Sequence, residues 1–158
     1  MMRQKVNLRN NVLPRSVVEL ITEAGRDAYI HKQAPKFLID NEEHALKLMG
    51  GQYAPRFISR PNSENIVMEY IKPQRVTSPG LFWSDFELVL AHLKKNKIRH
   101  GDLSVYSVII HGNRPFIIDF AESRCWDDPR PDKRPEGDRF WLLKTFEDLT
   151  TSGKIYHG

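Results

Sequence analysis

The chain is short of the features that would make its class obvious. It has one cysteine, Cys125, in 158 residues, which excludes an internal disulfide framework and any cysteine-rich zinc module. No apolar run approaches the roughly 20 residues that a membrane-spanning helix needs, and the opening MMRQKVNLRNN has no apolar core of a secretion signal. There is no internal repeat and no low-complexity segment. His31, His44, His92, His111 and His157 show no metal-ligand spacing. Strong charge of either sign is missing as well. The 24 Lys and Arg stand against 20 Asp and Glu, a formal +4 that suits an anionic partner such as nucleotide phosphates or RNA but names neither. What is left is 40% hydrophobic and 28% charged, an ordinary globular composition for one compact domain or two small lobes. The expectation is a soluble, cytoplasmic protein with no membrane span.

Patterning along the chain points to an α+β organisation. Residues 1–14 read as a loose basic arm. Residues 15–21, 27–32 and 36–39 read as strands, the last after the Ala34-Pro35 break. A helix is expected from Asn41 to Met49, capped by Asp40 or Asn41 and stopped by Gly50-Gly51. Residues 56–59 and 65–71 read as strands joined at Pro61-Asn62-Ser63. Ser84 can cap a helix that runs to Lys95, with Phe86, Val89, Leu90 and Leu93 on one face. Two further strands, 107–110 and 115–118, flank a hairpin turn at 111–114. An aperiodic stretch of Pro, Asp and Arg follows over 122–137, and then a helix over 137–149. Residues 1–71 thus make a small strand-rich N-lobe, and residues 72–158 a shortened, more helical C-lobe.

The segment that carries chemistry is His100-Gly-Asp-Leu103 followed by Ile117-Ile-Asp-Phe-Ala121. Asp102 precedes the outgoing strand of the hairpin and Asp119 follows the returning one, so a hairpin brings both carboxylates to one side. A pair of that kind suits phosphoryl transfer: one acid handles the proton of the attacking hydroxyl and the other holds Mg²⁺ against phosphate oxygens.

These two motifs resemble the catalytic loop and the metal-binding Asp-Phe-Gly of the protein-kinase superfamily, with Gly101 second in the first and Ala121 closing the second. The Gly form, and Leu103-Ser-Val-Tyr-Ser-Val108 after it, are similar to the small atypical RIO kinases, whose pattern is Leu-Ser-Glu-Tyr-Asn-Ile. Asp128-Pro129 and Asp138 keep the RIO spacing from a His-Pro dipeptide to a helix-borne Asp, and Ile66-Val-Met-Glu-Tyr-Ile71 resembles a kinase hinge strand. The resemblance covers about residues 40–150. It implies a minimal two-lobed kinase-like fold and an ATP- and Mg²⁺-dependent serine/threonine kinase, phosphotransferase or ATPase. Asp102 would be the catalytic acid-base residue and Asp119 the metal ligand. Met68 would back the nucleotide pocket, with the backbone of Glu69 and Ile71 along the adenine edge. Glu42 would pair with a phosphate-binding lysine, Asp138 would brace the catalytic loop through backbone N–H groups, and His100 would pack beneath that loop.

The pattern is incomplete in three places. Ser107 stands where the family has its second metal ligand, Asn. No Gly-x-Gly-x-x-Gly is present, and Gly25 in Glu23-Ala-Gly-Arg-Asp27 is the nearest candidate for the phosphate-binding loop. The lysine is Lys32 if 27–32 is the Val-Ala-Ile-Lys-like strand; the rival register leaves Lys36 or no lysine near the right place. Two other readings therefore stand beside the kinase: a pseudokinase scaffold, and a basic module associated with RNA or the ribosome, suggested by Arg3, Lys5 and Arg9. The acceptor, protein or small hydroxylated molecule, is not written in the sequence.

Overall fold

A computed structural model of the chain describes residues 3–7 and 16–152. Its first half is organised by one antiparallel sheet of β1 (Arg3–Asn7), β2 (Val17–Glu23), β3 (Tyr29–Gln33), β4 (Phe57–Asn62) and β5 (Asn65–Glu69), in the spatial order β1-β2-β3-β5-β4. The two-residue period of a strand decides what faces inward. In β3, Ile30 and Lys32 are buried and flank the half-buried His31. Lys32 pairs across the sheet with Val18 on one side and Ile66 on the other, and Ile30 pairs with Met68. A lysine therefore sits on the apolar face of the central strand.

Two expectations change here. Residues 3–7, read as part of a loose arm, form the edge strand β1, and their cations meet β2: Arg3 lies 3.5 Å from Glu23 and Lys5 3.8 Å from Glu19. Two of the three cations behind the RNA reading are thus engaged, while Arg9 and the rest of 8–15 lie outside the described residues. The strand expected at 36–39 is instead the first turn of helix α1 (Lys36–Met49). Leu38 and Ile39 extend the buried stripe of Glu42, Ala45, Leu46 and Met49, so helical spacing outweighs the short β-like run. Pro35, rather than Asp40 or Asn41, holds the cap position, and its carbonyl receives the Leu38 and Ile39 N–H groups at 3.0 and 3.2 Å. Asp40 is taken up by Lys36 and Arg60. Gly50 ends the helix in the left-handed region, as its sequence position implies.

The second half is more helical. The helix expected from Ser84 to Lys95 forms as α3 (Phe86–Lys95), and a short helix that was not expected, α2 (Pro79–Ser84), precedes it; between them stands Asp85, a buried carboxylate that accepts from Tyr53 Oη at 2.9 Å and from the Arg114 guanidinium at 3.3 Å. The Ser84 hydroxyl donates back to the Leu81 carbonyl instead of capping α3. α4 (Asp138–Thr151) packs on α3, and Phe82, Phe86 and Trp83 gather on Phe146, with Phe82 stacked at 4.1 Å between ring centroids.

Between α3 and α4 run β6 (Ile98–Arg99), the hairpin β7 (Val108–His111) and β8 (Arg114–Ile117), and β9 (Arg124–Cys125), which pairs back onto β6. The hairpin turn Gly112-Asn113 has positive φ at both residues, as a tight twisted hairpin requires. The Ile117 N–H donates to the Tyr53 carbonyl, so the hairpin is stitched to the segment after α1. Among the described residues no helix is long and apolar enough to cross a membrane.

Candidate active site

A cleft opens between the sheet and the β7–β8 hairpin. Val18 and Ile30 line it from the sheet, Ile109 and Ile118 from the hairpin side, and Met68, Glu69 and Ile71 along the edge where β5 leaves the sheet. Its inner end is charged: Lys32, Glu42 and Asp119 all line it. Lys32 Nζ lies 3.4 Å from Glu42 Oε2 and 3.0 Å from Asp119 Oδ1. Lys32 is 3% exposed in its side chain, whereas Lys36 is 67% exposed and pairs with Asp40. The rival lysine register is thereby decided in favour of Lys32. Burial raises the Glu42 carboxyl above its ordinary range, opposed by the Lys32 ammonium beside it.

Gly25 is not in the cleft. It makes the β2–β3 turn at φ +76, beyond the Ile21–Tyr29 pair, whereas Lys32 pairs with Val18 near the other end of the two strands. A hairpin turn cannot fold back over its own far end. β1 ends and β2 begins at that far end, and residues 8–15 between them lie outside the described residues.

Asp102 belongs to a loop beside the cleft, and three contacts fix it. The His100 ring is fully buried against Phe120, with centroids 5.0 Å apart. Its Nδ1 accepts the Asp102 N–H at 3.2 Å, so its Nε2 donates to the Ile118 carbonyl at 2.9 Å. One imidazole thus spans the two segments that carry Asp102 and Asp119. Asp138, at the first turn of α4, accepts the N–H groups of His100 and Gly101 at 2.8 and 2.9 Å. Gly101 has φ +80, and a Cβ there would come within 3.3 Å of the Glu122 carbonyl, so glycine is required for backbone angle and for space.

Two cations of the basic cluster that follows the metal motif, Lys133 and Arg134, close on Asp102. Arg134 Nε donates to Oδ1 at 3.0 Å, and Lys133 Nζ lies 3.5 Å from Oδ2. Both come from the aperiodic stretch over 122–137, more than 30 residues further along the chain. No periodicity or local spacing could have announced them.

Ser107 points into its own turn. Its Oγ accepts the Ser104 N–H at 2.7 Å and donates to the Ser104 carbonyl at 3.0 Å, in a buried position. The hydroxyl expected at a second metal thus serves as a staple of the 104–107 turn. Ser107→Ala should cost about 1 kcal/mol, since it leaves the part-buried Ser104 N–H without that acceptor. Chemical denaturation of the two chains measures the difference.

The donor set left for a cation is small. Among the described residues no group of three or more His, Cys, Asp or Glu side chains could hold a metal ion. Asp119, partly exposed at the inner end of the cleft, is a single carboxylate. That matches Mg²⁺, which binds through one or two carboxylates together with substrate phosphates and waters.

Three solved structures similar to this fold are of kinases. The kinase PK-1 of Cydia pomonella granulovirus superposes with a TM-score of 0.67 at 16% identity, over 93% of this chain and 70% of that one. The Rio2 kinase of Chaetomium thermophilum gives 0.69 at 16% identity over 87% of this chain and 55% of its own, and its ADP/Mg²⁺-phosphoaspartate complex 0.64 at 15% over 89% and 52%. The chain therefore spans about half the length of that Rio2 kinase. At these identities the likeness is one of fold, and it makes the α+β architecture kinase-like. No curated protein sequence matches the chain. The RIO domain family model, however, matches residues 19–147, a span that holds Lys32, Glu42, Asp102, Asp119 and Asp138, and on that match the chain belongs to the RIO domain family.

Proposed function

We propose that the chain binds ATP with Mg²⁺ in this cleft and acts as a RIO-like serine/threonine kinase, phosphotransferase or ATPase that moves the γ-phosphate to a hydroxyl. The observation that carries the reading is Lys32, a buried ammonium held between Glu42 and Asp119 at the inner end of an otherwise apolar cleft. An apolar slot with a few convergent charged groups suits a nucleotide: the base packs between Val18, Ile30 and Ile109, and the phosphates reach the charged end. Met68 backs the slot, with the backbone of Glu69 and Ile71 at its edge.

In this reading Asp119 would hold Mg²⁺, which when bound would neutralise phosphate charge. Lys32, held by Glu42 at the charged end of the cleft, would meet the phosphates there. Asp102 orients the attacking hydroxyl and accepts its proton. The imidazole of His100 keeps the two acids in register, so positioning and electrostatics do most of the work.

Thermal unfolding of the chain, titrated with ATP in the presence and absence of Mg²⁺, is the test, because a ligand of the folded form raises the midpoint. The midpoint should rise with ATP and rise further with Mg²⁺. Asp119→Asn should lose the Mg²⁺-dependent part and lower turnover by at least about 100-fold. An unmoved midpoint in the unaltered chain sinks the reading. One observation favours a second reading: the inward turn of Ser107 removes a metal ligand, as in a pseudokinase scaffold. Nucleotide binding without any turnover would select that scaffold.

A further inference from the structure

We propose that Lys133 is a γ-phosphate-binding residue, a cation that meets the transferred phosphoryl group beside Asp102, and that Arg134 positions it there. The inference rests on the nucleotide reading above and adds a residue to it.

The geometry around Asp102 is lopsided in charge. One carboxylate faces two cations, Arg134 at Oδ1 and Lys133 at Oδ2. The nearby Asp132 is turned to Arg99, at 3.7 Å, and Glu136 accepts from Trp141 Nε1 at 2.9 Å. Glu136 keeps its charge near Arg134, so Lys133 has Asp102 as its carboxylate partner only through the long Oδ2 contact.

The two cations also differ in how they are held. Arg134 is fixed on three sides. Its N–H donates to the Gly101 carbonyl at 2.9 Å, its guanidinium lies over the Trp141 ring at 4.4 Å, and its Nε holds Asp102. Lys133 is anchored only through that neighbour. Its side chain is 60% exposed, and its contact with Oδ2 is long, at 3.5 Å. A compact ammonium on a flexible four-carbon stem, tied at its root to the catalytic loop, can leave a weak carboxylate contact for a phosphate oxygen.

The cleft has a use for such a charge. With Ser107 turned inward, Lys32 and Asp119 are what the described site offers to a triphosphate. In the nucleotide reading the terminal phosphate carries the most charge and would face Asp102, the residue assigned to the attacking hydroxyl. A lysine at this point neutralises charge that a second metal would otherwise meet. It acts only when a third phosphate is present, so its signature is a preference for triphosphate over diphosphate.

Calorimetric titration of the full chain with Mg²⁺-ADP and with the non-hydrolysable Mg²⁺-AMP-PNP reads this without requiring turnover. Lys133→Met should leave ADP affinity within about twofold and lower the preference for AMP-PNP over ADP by about tenfold, as expected for one charge-assisted contact. Lys133→Arg should keep most of the preference. An unchanged preference in Lys133→Met, or an equal loss for both nucleotides, overturns the proposal while ADP binding keeps the cleft reading alive. Failure of both nucleotides to bind the unaltered chain overturns the two together.

Discussion

Replacing Lys32 with methionine should abolish the ATP-dependent rise in unfolding midpoint and destabilise the folded chain by about 3–5 kcal/mol. The size follows from what the lysine leaves behind. Glu42 is buried on the inner face of α1, and Lys32 is the cation beside it. Removing one member of a buried pair leaves the other as an uncompensated charge, which costs far more than the pair contributes over an apolar substitute. The double variant Lys32→Met with Glu42→Gln should therefore recover much of the stability and none of the nucleotide binding. If the single and double variants are equally unstable, the pair is not the source of the loss.

The same variant has a pH signature. Burial raises the Glu42 carboxyl, so the folded state holds that proton more tightly than the unfolded state does. A group of this kind favours folding at low pH, and its contribution falls as pH rises from the unfolded pKa through the raised folded one. Lys32 opposes the rise, so its loss raises the folded value further and widens that window. Lys32→Met should thus be least damaging near pH 5 and most damaging near pH 8, as urea midpoints of both chains across that range would record.

The second large effect should come from Asp138→Ala, far along the chain from either cleft acid. Its two oxygens receive the N–H groups of His100 and Gly101, and Gly101 is locked at φ +80 with no room for a side chain. Two charge-assisted bonds at about 1.5–3 kcal/mol each are lost, together with an acid favourable at a helix N-terminus. About 3 kcal/mol of stability should go, and turnover should fall about 100-fold or more, since a shift of about 1 Å in a positioned catalytic group has that effect. Asp138→Asn should rescue poorly, because an amide presents an acceptor to one N–H and a donor to the other. Hydrogen exchange at His100 and Gly101 should accelerate in both variants. Slow exchange there with lost activity would show that Asp138 acts elsewhere.

Much of this architecture was legible before any coordinates. The hairpin between Asp102 and Asp119 announces itself through β-branched runs around Gly112-Asn113, and the end of α1 through Gly50-Gly51. Asp138 could be expected as a brace because the RIO resemblance keeps its spacing, and the bonds to His100 and Gly101 are there. Local patterning failed where two local signals competed. The run at 36–39 looks like a strand over four residues and like a helix over fourteen, and packing against the sheet favours the longer period. Gly25 drew attention as the glycine between two strands, yet glycine supplies a turn at any hairpin, and topology alone says at which end of the sheet that turn lies.

By itself the sequence determined the two acids, the hairpin that joins them, the hinge-like strand and the α+β class, because each is written within a few neighbouring residues as period, turn chemistry or motif. Only the tertiary structure decided which lysine enters the cleft, that Ser107 is spent on its own turn, and that Lys133 and Arg134 return to Asp102. The physical reason is common to the first and the last. A side chain's partner is fixed by the backbone that brackets it, and the partners of Lys32 and Asp102 lie 10 to 87 residues away, beyond the reach of any local pattern.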